Sequence, residues 1–129
     1  MSSPPEPIVT GLRQVALGSA APAQLADFYR RALGLQVLFE TNGMVFMDGG
    51  GVRLMIGAKP PGEQIGGDAV LYFEPMVWEV AERAVEAAGA TFLHPRAVLQ
   101  QAEGRDLLLR AFKDPEGHSL ALLGWRAAG

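Results

Sequence analysis

The local patterns of this chain run through one cycle twice, and that repetition limits the fold more than any other feature. Ile8–Gly18 reads as a strand, with Val15 and Leu17 alternating against Gln14. A helix follows. Pro22 suits its first turn, where a missing N–H costs nothing. Leu25, Phe28, Tyr29, Ala32 and Leu33 then fall on one face, and Gly34 stands where a left-handed cap is needed. Three strands are expected at Gln36–Glu40, Met44–Asp48 and Val52–Gly57, separated by the hairpin signal Asn42-Gly43 and by Gly49-Gly50-Gly51. Lys59–Asp68 is a Pro/Gly-rich connector. Ala69–Phe73 reads as a strand again. Pro75 opens a second helix with Val77, Val80, Ala81, Ala84, Val85 and Ala88 on one face, and Gly89 ends it. Thr91–Gln100, Arg105–Phe112 and His118–Leu123 read as three more strands, the last two joined by the turn Asp114-Pro115-Glu116-Gly117.

Each half is thus β-α-β-β-β, about 8–58 and 69–126, within a single domain over 8–129. One helix covers one face of a four-stranded sheet. The opposite face must be buried by the other half, a partner chain or a ligand. Met1–Pro7 is expected to be a disordered tail.

Composition narrows the function classes. Apolar residues at 49% and charged residues at 19% describe a folded core. A net charge of -3, from 11 Lys+Arg against 14 Asp+Glu, leaves no basic stripe for nucleic acid. With no cysteine, disulfides and Cys-ligated zinc are excluded. No run approaches the ~18 apolar residues of a membrane helix. No basic start precedes an apolar stretch, so the expected location is cytoplasmic. Gly-x-Ser-x-Gly, HExxH and P-loop motifs are absent.

The stretches Arg13–Leu17, Asp27–Leu35, Asp48–Ile56, Leu71–Gly89 and Phe112–Leu123, in this order and spacing, resemble the vicinal-oxygen-chelate superfamily of glyoxalases, bleomycin-resistance proteins and extradiol dioxygenases. The resemblance implies an α+β fold: two βαβββ units forming a cupped eight-stranded mixed sheet, with helices on the outer face and a cavity in the cup. It also implies a homodimer. Many relatives hold a divalent metal through side chains on the inner strands, and those places fall here on Gln14, Met55, Val70 and Ala121. Of these, Gln14 offers an amide oxygen and Met55 a soft sulfur; Val70 and Ala121 offer no donor. A catalytic metal needs about three protein ligands, so neither metal nor cofactor is expected.

Strand alternation assigns the faces. If Gln14 faces the hollow, so do Arg53 and Met55, then Val70, Tyr72 and Glu74, then Ser119 and Ala121, while Val15 and Leu17 lie under the helix. With Arg96 at the cavity mouth, these are the candidate ligand-binding residues. Arg53 either clamps an anion or pairs with Glu74 or Asp48. Glu74 is the candidate general base, or a carboxylate near a helix start. Tyr72 either stacks on a ligand or packs. Trp78 and Trp125 pack or meet a partner. His118 is a turn residue or a catalytic one, and His94, with Arg96 and Arg110, can line the mouth to attract an acidic ligand. The leading expectation is a metal-independent small-molecule-binding protein. The alternative is a lyase, isomerase or dioxygenase-like enzyme without metal or with a non-standard metal site.

Overall fold

A computed structural model of the protein describes residues 6–59 and 68–129. Most of the expected tail and connector lies outside that range. The elements are β1 (Gln14–Ser19), α1 (Pro22–Leu33), β2 (Gln36–Thr41), β3 (Met44–Asp48), β4 (Arg53–Ala58), β5 (Val70–Phe73), α2 (Trp78–Ala87), β6 (Ala97–Ala102), β7 (Arg105–Lys113) and β8 (Ser119–Ala127). The duplicated βαβββ order is present. The eight strands divide into two four-stranded mixed sheets, β1-β4-β3-β2 and β5-β8-β7-β6, with no ladder joining them among the described residues.

The two units repeat in register as well as in order. Parallel β1 and β4 align Gln14 with Arg53 and Ala16 with Met55, and parallel β5 and β8 align Val70 with Ser119 and Tyr72 with Ala121. Each second strand is irregular at the matching place, between Val37 and Phe39 and between Val98 and Gln100. Each following hairpin turns through two positive-φ residues, Asn42-Gly43 and Glu103-Gly104, as a two-residue turn of the right twist requires.

The helices carry the packing. Leu25, Phe28, Tyr29 and Ala32 of α1 are buried, as the periodicity requires, and Gly34 takes the left-handed cap at φ 72°. Helix α1 packs on α2, and the helix-side faces of both sheets join them in one apolar core through Val45, Met47, Leu54, Ile56, Leu108, Phe112, Leu120 and Leu122.

Four expectations shift. The first ladder begins at Gln14, not Ile8; Ile8 and Val9 are exposed. Helix α2 begins at Trp78 and not at Pro75, because Val77 is still extended. Its buried side is Trp78, Glu82 and Val85, while Val77 and Val80 are more than half exposed. Ala81, Ala84, Val85 and Ala88 of the expected stripe are buried or half-buried; Trp78 and the ion-paired Glu82 join that face, and Val77 and Val80 fall outside it. Finally, β6 begins at Ala97. Upstream of it only the bridge Phe92–Phe112 forms, because Pro95 has no N–H to donate to a ladder.

Candidate functional site

Burial alternates along β1, β4 and β5 and separates two faces; along β8 three successive residues, Leu120–Leu122, are buried. Val15, Leu17, Leu54, Ile56, Leu71, Phe73, Leu120 and Leu122 pack on the helix side. The register then puts Gln14, Ala16, Arg53 and Met55 on the helix-free face of the first sheet, and Val70, Tyr72, Ser119 and Ala121 on that of the second. All but Ala16 are strand candidates, seven residues in two groups on two sheets. Val70 and Tyr72 are exposed at 39% and 57%; Ala121 is covered by its neighbours.

The first group has a definite geometry. Arg53 Nε donates to Gln14 Oε1 at 2.7 Å. The guanidinium lies over the Phe46 ring, 5.1 Å from its centroid, and 5.9 Å from that of Phe39. Phe39 and Phe46 stack on each other with centroids 4.4 Å apart. Met44 and Met55 meet above Gly57, the next residue of β4 on this face. Arg53 pairs with neither Glu74 nor Asp48 among the described residues. Asp48 lies across the β3–β4 ladder from it, yet turns Oδ1 to the Gly50 amide at 2.8 Å.

The two phenylalanines were missed from the sequence. Phe46 was readable, since β3 alternates and pairs it with Met55. Phe39 was not, because the irregularity after Val37 resets which β2 residues face Phe46.

Other candidates stand elsewhere. Glu74 follows β5 as an exposed residue with its stem against Gly124. With Tyr72 it lines a groove of about 900 Å³ between the end of α1, the β3–β4 turn and α2. Gln14, Arg53, Met55, Val70, Ser119 and Ala121 do not line that groove.

Arg96 is held on the helix side. Its Nε donates to Glu82 Oε2 at 2.9 Å, and Arg110 Nη1 donates to the same oxygen at 2.7 Å. The Arg96 hydrogen bond, with that of Arg110, holds the Glu82 carboxyl below the usual carboxylate range against the opposing effect of burial. Both arginines are thus neutralised within the fold, not at a cavity mouth. His94 is also internal to it: Nε2 accepts the Ala111 amide at 3.1 Å, and Nδ1 faces the Pro95 carbonyl.

His118 is buried, and its Nδ1 lies 2.7 Å from Asp114 Oδ2. The same oxygen accepts the Tyr29 hydroxyl at 2.8 Å. Burial, then the Asp114 charge, pushes the Tyr29 hydroxyl far above its ordinary value, so it remains a donor. Trp78 is buried, with Nε1 toward the Gly124 carbonyl, and Trp125 lies under the Arg105 guanidinium.

Gln14, Met55, Val70 and Ala121, the places the resemblance implied for a metal, carry one amide oxygen and one thioether sulfur between them. Val70 and Ala121 have no donor atom, and the Gln14 oxygen is already bonded to a cation. No group of three or more His, Asp or Glu side chains able to hold an ion occurs among the described residues.

A family model described as a glyoxalase-like domain matches residues 14–123. Among solved structures, a member of the glyoxalase/bleomycin resistance protein/dioxygenase superfamily from Sphaerobacter thermophilus superposes with a TM-score of 0.72 at 17% identity, covering 90% of this chain and 98% of the other. A glyoxalase-related enzyme from Fulvimarina pelagi gives 0.70 at 17% identity, covering 94% and 100%. An integron cassette protein from the mobile metagenome of V. cholerae gives 0.71 at 21% identity, covering 89% and 94%. No curated protein matches the chain. At these identities the solved structures speak to the fold alone, and the model spanning both units decides kinship: the chain belongs to the glyoxalase-like domain family, within the vicinal-oxygen-chelate superfamily.

Proposed function

We propose that this protein binds an organic small molecule on the helix-free sheet faces, without a metal at the family positions, and does so as a homodimer. One observation carries the reading: the residue best able to begin a metal site, Gln14, instead accepts a hydrogen bond from Arg53, and two of its three counterparts are Val70 and Ala121. A divalent ion there would gain one amide oxygen and meet a guanidinium.

The surface offered suits a ligand with an apolar body and few polar groups. Phe39 and Phe46 border Arg53 on the first sheet, with Met55 and Met44 farther along the same face, and Val70, Tyr72 and Ala121 lie on the second. Dimerisation is supported by the edges and faces left uncovered. Among the described residues, strands β1 and β5 each pair on one side only. Leu38, Val70, Tyr72 and Leu99 are exposed at 39–57%. A second copy that set its β5 edge beside β1 would cover apolar surface that one chain leaves wet.

The test is made on full-length protein without an affinity tag. Metal analysis before and after incubation with Mn, Fe, Ni or Zn is expected to give far less than one ion per chain. Sedimentation is expected to give twice the 13.7 kDa chain mass. A screen of aromatic and aliphatic acids, amides and amines is expected to find compounds that raise the melting temperature without being converted. A stoichiometric ion lost on replacing Gln14 would overturn the metal-free reading, and turnover of a bound compound would favour an enzyme.

A further inference from the structure

We propose that Arg53 is the anchor for a carboxylate, and that the ligand is an organic acid with a flat apolar body. The inference rests on the small-molecule reading above and names the chemistry of what is bound.

The guanidinium is fixed before any ligand arrives. Its Nε–H is taken by Gln14 Oε1 at 2.7 Å, and its plane is supported by the Phe46 ring 5.1 Å away. An arginine presents five N–H donors in a rigid fork. Here the Nη donors find no protein acceptor among the described residues. Arg30, Arg31, Arg96, Arg110 and Arg126, by contrast, each lie within salt-bridge distance of a carboxylate. The nearest acid across the ladder, Asp48, is engaged with the Gly50 amide. A planar two-oxygen anion matches the free side of the fork with two parallel hydrogen bonds.

The surroundings choose the rest of the molecule. The equivalent of Arg53 in the second unit is Ser119, and no carboxylate occupies the helix-free positions Val70, Tyr72, Ser119 and Ala121. Arg53 is therefore the one charged side chain at these inner-strand positions, and the carboxylate that shares its face, Asp48 of β3, is turned to the Gly50 amide. Stacked Phe39 and Phe46 offer flat apolar surface beside it, and Met55 with Met44 offers deformable apolar surface farther along the same face. A carboxylate on an aromatic ring uses both features, whereas a cationic amine is repelled by the guanidinium and a neutral sugar brings it no charge.

The probes are 2-naphthoate and 2-naphthamide, which share shape and differ in charge. Each is titrated calorimetrically into full-length wild-type protein, Arg53→Gln and Arg83→Gln. Arg83 is exposed on α2, and its loss changes net charge equally. The expected result is wild-type binding of naphthoate at least about tenfold tighter than of the amide. Arg53→Gln should erase that ratio with the amide unaffected, and Arg83→Gln should preserve it. Equal affinity for acid and amide, or a ratio that survives Arg53→Gln, overturns the carboxylate anchor while leaving a small-molecule site in place. Failure of both probes to bind at concentrations on the order of a millimolar overturns the flat aromatic acid as ligand, while the wider screen above decides separately whether any small molecule is bound. Melting temperatures of the variants establish that each is folded.

Discussion

Tyr29 on α1 donates its hydroxyl to Asp114 Oδ2 at 2.8 Å, tying the helix of the first unit to the β7–β8 turn of the second. Asp114 is buried, and it also accepts the amides of Glu116 and His118 through Oδ1. Beside it, Glu116 accepts the Ala20 amide at 2.7 Å and the Ser19 hydroxyl, holding the start of α1. The seam between the units is therefore polar at its centre, and every charge in it is bonded.

Replacing Tyr29 with Phe removes one donor from a buried carboxylate and keeps the ring's packing. The expected loss is about 1–3 kcal/mol of unfolding free energy, read from urea denaturation. An unchanged midpoint would mean that the link between the units contributes nothing to stability.

Glu82 gives a pH dependence with a defined sign. Its folded-state carboxyl sits below the unfolded value of 4.5, first because of the Arg96 hydrogen bond. Its contribution is thus complete above that value and fades as pH falls through the lower folded one. Glu82→Gln should cost about 2–4 kcal/mol at pH 7, since two arginines lose their common partner. The gap between wild type and variant should narrow in melting curves taken at progressively more acidic pH below 4.5.

Glu103 occupies the left-handed region at φ 53°, where its counterpart in the first unit is Asn42. Asparagine tolerates that conformation better than glutamate. Glu103→Asn should raise stability by about 0.5–1 kcal/mol, a shift of roughly 2–3 °C in the melting temperature. A fall in melting temperature would show that Glu103 makes a compensating contact.

Gly49 donates its amide to the Val52 carbonyl at 2.8 Å, and a Cβ on Gly49 would overlap that oxygen. Gly49→Ala should open the β3–β4 turn at a cost of about 1–3 kcal/mol. Amide exchange should report it as faster exchange at position 49, whose amide donates to the Val52 carbonyl and closes the turn.

The amino-acid sequence by itself determined the two βαβββ units, the extent of α1 with its Gly34 cap, and which residues of β1, β4, β5 and β8 share a face. Those features are local: an apolar period of 3.6 or 2 and a turn residue are written in neighbouring letters. Tertiary structure decided the rest. It set where α2 starts and added Trp78 and Glu82 to its buried side, because Arg96, just before β6, and Arg110 of β7 meet the Glu82 carboxylate there. Alternation placed Arg53 on the right face, but only the fold showed that its partner is Gln14, 39 residues away, and that its support is a phenylalanine pair assembled by an irregular strand. Contacts across tens of residues depend on how sheets and helices pack, and no local pattern encodes that packing.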